Sequence, residues 1–365
     1  MLAAVSGRRR RWLRWMAAVA IALVGLWSVP PVHVRVSSMV AVARAVGLPV
    51  PSVFGSPVSV DRVVVAEDLV GYLYTPSWPA PGIVLVHGAA RGGANDPRIE
   101  RLASAIARAG RVVFVPQLQL RFRVLSRDDI ERLVRSVLYL ERFPFVEGSV
   151  GLVGISDGGS FALIASADPR ISRSVGFVAT FGAYFDLRHV IQGITTHATT
   201  VHHHVVPWEP APQAAGILRH QAEQLLSPAD RAALEEAVAG TVPASALSPD
   251  ARAVYDVLEN RDPRRALPLI AHLPSSVLGL VETFSPSRYV RRIEAPVAVL
   301  QSMDDPAVPP SEAALLAQAF HAPEYVLTTF THVTPGSIVH GLPDLWRATS
   351  FTTWVLDHGA QSAAR

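Results

Sequence analysis

A serine held between glycines at the end of an apolar run is the residue pattern in this chain with the most chemistry in it: Ser149-Val-Gly-Leu-Val-Gly154-Ile-Ser156-Asp157-Gly158-Gly159. The apolar run predicts a strand, and the small residues after Gly159 predict a helix. Glycine at 154 and 158 lets backbone segments approach more closely than a Cβ allows, so the turn is tight and lifts the Ser156 hydroxyl clear of the sheet. The same turn puts the backbone N–H of Asp157 at a helix N-terminus, where it can stabilise an anion. A nucleophile and half of an oxyanion hole are implied together. With 24 glycines in the chain, the G-x-S-x-G spacing alone is weak, and the context must decide.

That context is an acid and an imidazole placed later in the chain. Gln301-Ser-Met-Asp304-Asp305-Pro-Ala-Val308-Pro309 follows the apolar run Val297 to Leu300, and Thr331-His332-Val-Thr-Pro335 follows the run Tyr325 to Phe330. The order is Ser, Asp, His, each expected at the C-terminal edge of a strand, where open α/β sheets build their sites. A serine alcohol is a poor nucleophile until an imidazole accepts its proton, and the imidazole needs a carboxylate to fix its tautomer and stabilise its cation. Asp304 and Asp186 compete with Asp305 for the acid. His340 competes with His332 for the base.

The elements that must position these groups follow from hydrophobic periodicity. Val63 to Val65 and Gly71 to Tyr74 predict two early strands, and Ile83-Val-Leu-Val86 predicts a buried strand leading into His87-Gly88-Ala89-Ala90. Helical spacing over Pro97 to Ala109 and Arg127 to Leu140 flanks the strand at Arg111 to Pro116. Strands at Val175 to Thr180, Val297 to Leu300 and Tyr325 to Phe330 and helices at Ser311 to Phe320 and Leu342 to Asp357 complete the alternation. Continuous apolar strands separated by helices predict a mostly parallel sheet covered on both faces. From 188 to 292 the alternation lapses into proline-punctuated helical patterns without a convincing strand. We therefore expect an α/β core over 51–187 and 293–365, and an all-helical insertion over 188–292.

Composition excludes several chemistries. Cysteine is absent, so disulfides and thiolate sites are excluded. All 33 basic residues are arginine, so a Schiff-base or P-loop lysine is excluded as well. The formal charge of +3 comes from Arg8, Arg9, Arg10, Arg11 and Arg14; the rest is close to neutral, with no electrostatic case for nucleic acid. His197, His202, His203 and His204 invite a metal reading, but adjacent residues on an extended segment point to opposite faces, and no metal or cofactor is expected.

The N-terminal arginines precede an uncharged apolar stretch, Trp15 to Val29. Residues 1–50 thus read as a basic segment, a membrane anchor or export signal, and a linker, with the arginines cytoplasmic and the rest of the chain across the membrane. Cleavage and export is the alternative, with Ala41-Val-Ala43 and Ala43-Arg-Ala45 as candidate sites.

At these residues the chain resembles the α/β-hydrolase superfamily, from about Ser56 to the end, in the style of dienelactone-hydrolase-like and small-ester hydrolases. Four features carry the resemblance: His87-Gly88-Ala89, Gly154-Ile-Ser156-Asp-Gly158, Asp305-Pro-Ala-Val308-Pro309, and His332. It implies Ser156 as nucleophile, Asp305 as orienting acid and His332 as general base. It also implies an oxyanion hole from the backbone N–H groups of Asp157 and Ala89, with Ala90 as neighbour, and a substrate-selecting cap over 188–292. Two departures stand out. Asp157 adds a carboxylate where many members have a neutral residue, and His87-Gly88-Ala89-Ala90 is shorter than the glycine-rich loop of many lipases. The activity this implies is hydrolysis of an ester or thioester of modest size. A non-catalytic binding protein on the same fold, and an acyltransferase using the same triad, are the alternatives.

Overall fold

The computed structural model describes residues 30–201, 204–335 and 342–361. The chain opens with helix α1 (Pro30–Ala45), the hairpin strands β1 (Val58–Ala66) and β2 (Leu69–Pro76), and β3 (Ala80–Val86). Alternating units follow: α2 (Pro97–Arg108), β4 (Val112–Pro116), α3 (Arg127–Glu141), β5 (Val146–Ile155), α4 (Asp157–Ser166) and β6 (Val175–Phe181). An excursion comprises α5 (Leu187–Thr196), β7 (Ala198–Val201), β8 (His204–Pro207), α6 (Ala214–Gln224), α7 (Pro228–Val238), α8 (Pro249–Leu258), α9 (Pro263–Ile270) and α10 (Ser275–Thr283). The chain returns through β9 (Val297–Ser302), α11 (Ser311–Phe320), β10 (Glu324–Leu327), the short strands β11 (Phe330–Thr331) and β12 (Thr334–Pro335), and α12 (Leu342–Gln361).

The main sheet has eight strands in the order β1-β2-β4-β3-β5-β6-β9-β10. Only β1–β2 and β2–β4 are antiparallel; every other pairing is parallel. Period-two alternation sends neighbouring strand residues to opposite faces. Ile83, Leu85, Val153, Ile155 and Leu300 join α1, α2 and α12 in one apolar layer. Val84, Val86, Leu152, Val178 and Val299 join α3, α4 and α11 in the other. Both faces are therefore dry, which is why these strands are apolar throughout. Local caps set the helix starts: Asp96 accepts from the Arg98 N–H ahead of Pro97 at the start of α2, and Ser126 accepts from Asp128 N–H at α3.

The excursion departs from the all-helical expectation. Residues Ala198–Val201 and His204–Pro207 pair as an antiparallel hairpin. Each hairpin strand is four residues long, too short for periodicity to register. The helices pack around Leu234, Val254, Ile270 and Val281, a small core separate from the two sheet layers. Glu312 of α11 fastens this cap to the core. Its fully buried carboxylate accepts from the N–H groups of Phe185 (2.9 Å) and Asp186 (2.8 Å) and lies 3.0 Å from His189 Nδ1.

The segment expected to be a linker is partly α1, packed against α12 and α2, with Ala41 and Val42 buried. Both candidate cleavage triplets lie inside this helix. The arginine cluster and the apolar stretch Trp15 to Val29 lie outside the described residues. Among the described residues no single helix is long and apolar enough to cross a membrane.

Candidate active site

Ser156 joins β5 to α4 with φ 55° and ψ −135°, a conformation that costs a non-glycine residue about 1–3 kcal/mol. The surroundings enforce it. The Ser156 N–H donates to the Phe181 carbonyl at 2.7 Å, and the Ser156 carbonyl accepts from the Gly159 N–H at 2.8 Å. A Cβ on Gly154 would stand 2.4 Å from the carbonyl oxygen of Gly158, and one on Gly158 would stand 2.4 Å from that of His87. Any side chain at either position would push β5, α4 and the loop after β3 apart, so the elbow needs glycine at both.

Asp305 lies just past β9 with its side chain fully buried. Its Oδ1 accepts from the N–H groups of Ala307 (2.8 Å) and Val308 (3.0 Å), which orients the carboxylate through the Asp-Pro-Ala-Val turn. Its Oδ2 accepts from Gln301 Nε2 at 3.0 Å and faces His332 Nδ1 at 2.7 Å. His332 occupies the turn between β11 and β12 with φ 53°, and its Nε2 lies 2.9 Å from Ser156 Oγ. An ionised carboxylate only accepts, so Nδ1 carries the ring hydrogen and Nε2 presents its lone pair to the serine hydroxyl.

Two backbone donors belong to residues that line the same space. Among the described residues nothing accepts a hydrogen bond from the N–H of Ala89 or of Asp157, whereas that of Ala90 is occupied by the Gly88 carbonyl at 2.9 Å. Ala89, Asp157, Ser156 and His332 all line one cavity of about 780 Å³.

No family model matches the chain, and no curated protein matches it. Among solved structures it is similar to 2,6-dihydroxy-pseudo-oxynicotine hydrolase, at 13% identity and a TM-score of 0.50, over 82% of this chain and 68% of the other. It is also similar to brefeldin A esterase, a bacterial homologue of human hormone sensitive lipase, at 14% identity and a TM-score of 0.49 over 92% and 88% of the two chains. Est1E from Butyrivibrio proteoclasticus follows at 13% identity and a TM-score of 0.46, over 84% and 99%. The chain has the α/β-hydrolase fold.

Within this α/β-hydrolase fold the competing residues take other positions. Asp304 is exposed, and Asp186 caps α5 while also accepting from Arg188, Ser285 and Ser287. Burial works against ionising Asp186, but Arg188, its own backbone contact and Ser287 outweigh it and bring the carboxyl down to about 2. His340, His202 and His203 lie outside the described residues. His197 caps α5 and pairs with Glu209 at 3.3 Å, and among the described residues no three potential ligands gather for a metal ion.

His87 is a structural residue of the loop after β3. Its buried ring accepts from the Leu118 N–H at Nε2 (3.1 Å) and lies 2.8 Å from the Gly88 carbonyl at Nδ1, so the hydrogen sits on Nδ1. Burial pushes its pKa down and keeps it neutral.

The sequence pattern missed three groups that position Asp305 and His332. Gln301 holds Asp305 Oδ2 from the end of β9, and the Trp208 indole N–H donates to the Asp305 carbonyl at 2.7 Å from beyond the cap hairpin. Asp344, at the start of α12, accepts from the N–H groups of Thr328 (2.8 Å) and Thr329 (2.6 Å). Those bonds end β10 at Leu327, three residues before the predicted Phe330, and turn the chain so that His332 reaches back to Ser156. A glutamine directly after the apolar run Val297 to Leu300 is the one signal in the sequence; the Trp208 and Asp344 contacts have none.

Asp157 answers the charge problem its position raised. The residue is half-buried and lines the cavity. Burial, with Asp305 adding to it, pushes the carboxyl above the ordinary range against the opposing pull of His332 and Arg123. Asp157 is therefore neutral to higher pH than a solvated aspartate. As pH rises through that raised pKa, an anion appears beside the two backbone donors. Asp157→Asn should match the wild type on the acidic side and exceed it roughly tenfold once the wild-type carboxyl has ionised, for about 1.4 kcal/mol of relieved repulsion. Superimposable pH profiles of kcat/KM would remove Asp157 from the electrostatics of the site.

Proposed function

We propose that the protein is a serine hydrolase that cleaves carboxylic ester or thioester bonds by a two-step acyl-enzyme route. One observation carries the reading: Ser156 Oγ, His332 Nε2, His332 Nδ1 and Asp305 Oδ2 form a continuous chain of contacts at 2.9 Å and 2.7 Å. Ser156 Oγ attacks the carbonyl carbon while its proton passes to His332 Nε2, and buried Asp305 stabilises the resulting imidazolium. The oxyanion of the tetrahedral intermediate is held by the N–H groups of Ala89 and Asp157. His332 returns its proton to the leaving alkoxide or thiolate. Water, deprotonated by the same nitrogen, then releases the acid and regenerates Ser156. A fluorophosphonate probe should label the wild type and leave Ser156→Ala unlabelled; a silent wild type, or equal labelling of both, would end this assignment.

The hydrolase acts at the cell membrane, on the extracytoplasmic side. The support is the order of Arg8 to Arg14 before the apolar stretch Trp15 to Val29, since arginines stay cytoplasmic. Protease added outside right-side-out vesicles should digest the hydrolase domain of the full chain. Full protection until lysis would reverse the orientation.

A further inference from the structure

The cavity is larger than an ester of modest size requires, and its walls are of two kinds. At about 780 Å³ it lies in the upper part of the range of roughly 300–1,000 Å³ for small-molecule sites. On the cap side it is walled by Leu187, Ile191 and Ile194 of α5 and by Ile217 and Leu218 of α6. On the other side of Ser156 its lining continues to Ile155 and Leu300, on the sheet face that α1, α2 and α12 cover. There its walls are Val42 and Ala45 of α1, Leu102 of α2, and Ala348 and Phe351 of α12. Polar residues in this arm are few: Thr352 within it, and at the α2 end Asp96, paired with the exposed Arg98, and the exposed Arg101. A small acyl group would leave such an arm empty, and an apolar space without polar partners stays dry. The same helix pair carries apolar side chains on its outer side. Met39, Leu342 and Trp346 are exposed, and the Arg35 guanidinium stacks on Trp346 at 3.9 Å, which suits a substrate that partitions into lipid.

We propose that this arm, running from Ser156 to the space beneath α1 and α12, receives the acyl chain, and that the preferred substrates are esters of long, unbranched fatty acids. The inference rests on the serine-hydrolase reading and replaces modest size as the substrate class. The short loop His87 to Ala90 bears on the oxyanion donors; the space behind the serine sets chain length.

The test is a chain-length series of p-nitrophenyl esters with the full chain. Each methylene moved from water into an apolar site is worth up to about fourfold, part of it offset by ordering the chain. From butyrate to decanoate kcat/KM should rise at least about thirtyfold. Ala348→Phe places a ring in the arm and should lower the decanoate-to-acetate ratio of kcat/KM about tenfold or more, with fluorophosphonate labelling of Ser156 reporting that the variant is folded. Rapid acetate and butyrate hydrolysis that declines beyond six carbons would overturn the long-chain assignment and leave the serine-hydrolase reading standing. A ratio unmoved in labelled Ala348→Phe would overturn the arm as the acyl site. Absence of both turnover and labelling in the wild type would defeat the two readings together.

Discussion

Ser156→Ala is expected to lower kcat by about 10⁴- to 10⁶-fold, the range found when a triad nucleophile is removed. What remains is due to the oxyanion donors and substrate binding, which do not need the hydroxyl. The fold should survive the change. Alanine keeps the Cβ and therefore the strain at φ 55°, so stability should stay within about 1 kcal/mol of the wild type. A double variant with His332→Ala should be no slower than either single one, because the two residues act as a unit. Single-turnover measurements with an activated ester check both points, and additive losses would mean that His332 acts on something other than Ser156.

Asp305→Asn is expected to cost about 10⁴-fold in kcat with little change in KM, as when a triad acid loses its charge. Every contact of this carboxylate is with a donor: Ala307 and Val308 N–H on Oδ1, Gln301 Nε2 and His332 Nδ1 on Oδ2. An asparagine has one oxygen to offer. With its NH₂ toward His332 it forces the imidazole to carry its hydrogen on Nε2, facing Ser156 donor to donor. With its NH₂ toward Ala307 and Val308 it sets donors against donors in a buried turn, at about 1–3 kcal/mol for each group left unpaired. The first arrangement disarms the base; the second destabilises the turn. A variant with near-normal kcat and unchanged thermal stability would show that Asp305 neither fixes the tautomer nor organises the turn.

Gln301 extends the same logic. It is the last large polar group of an apolar strand, its Nε2 is committed to Asp305, and its Oε1 is buried without a partner among the described residues. Such a group costs stability and persists where it orients another.

The parts of this molecule set by local pattern were legible in the residues. Alternating apolar strands and amphipathic helices gave the layered sheet, because strand and helix periods differ and each buries its own apolar set. The glycines around Ser156 gave the elbow, because the steric demand for glycine is read at the same positions that create it. Where short elements met long-range contacts, the pattern fell short. The β7–β8 hairpin is too brief to carry a period. The strand expected to run to Phe330 stops at Leu327 because Asp344, well ahead in sequence, takes the N–H groups of Thr328 and Thr329.

The sequence by itself determined the alternating α/β core, the serine on its tight turn, and the supply of one acid and one base after later strands. Each is a matter of residue type and short-range spacing. Tertiary structure decided how Asp305, the acid already favoured by its Asp-Pro-Ala-Val-Pro segment, meets His332, that the N–H groups of Ala89 and Asp157 are left without an acceptor among the described residues while that of Ala90 is taken, and that α1 lines an apolar arm behind Ser156. Those depend on distances between residues far apart in the chain, and such distances exist only once loop closure and packing have brought the segments together.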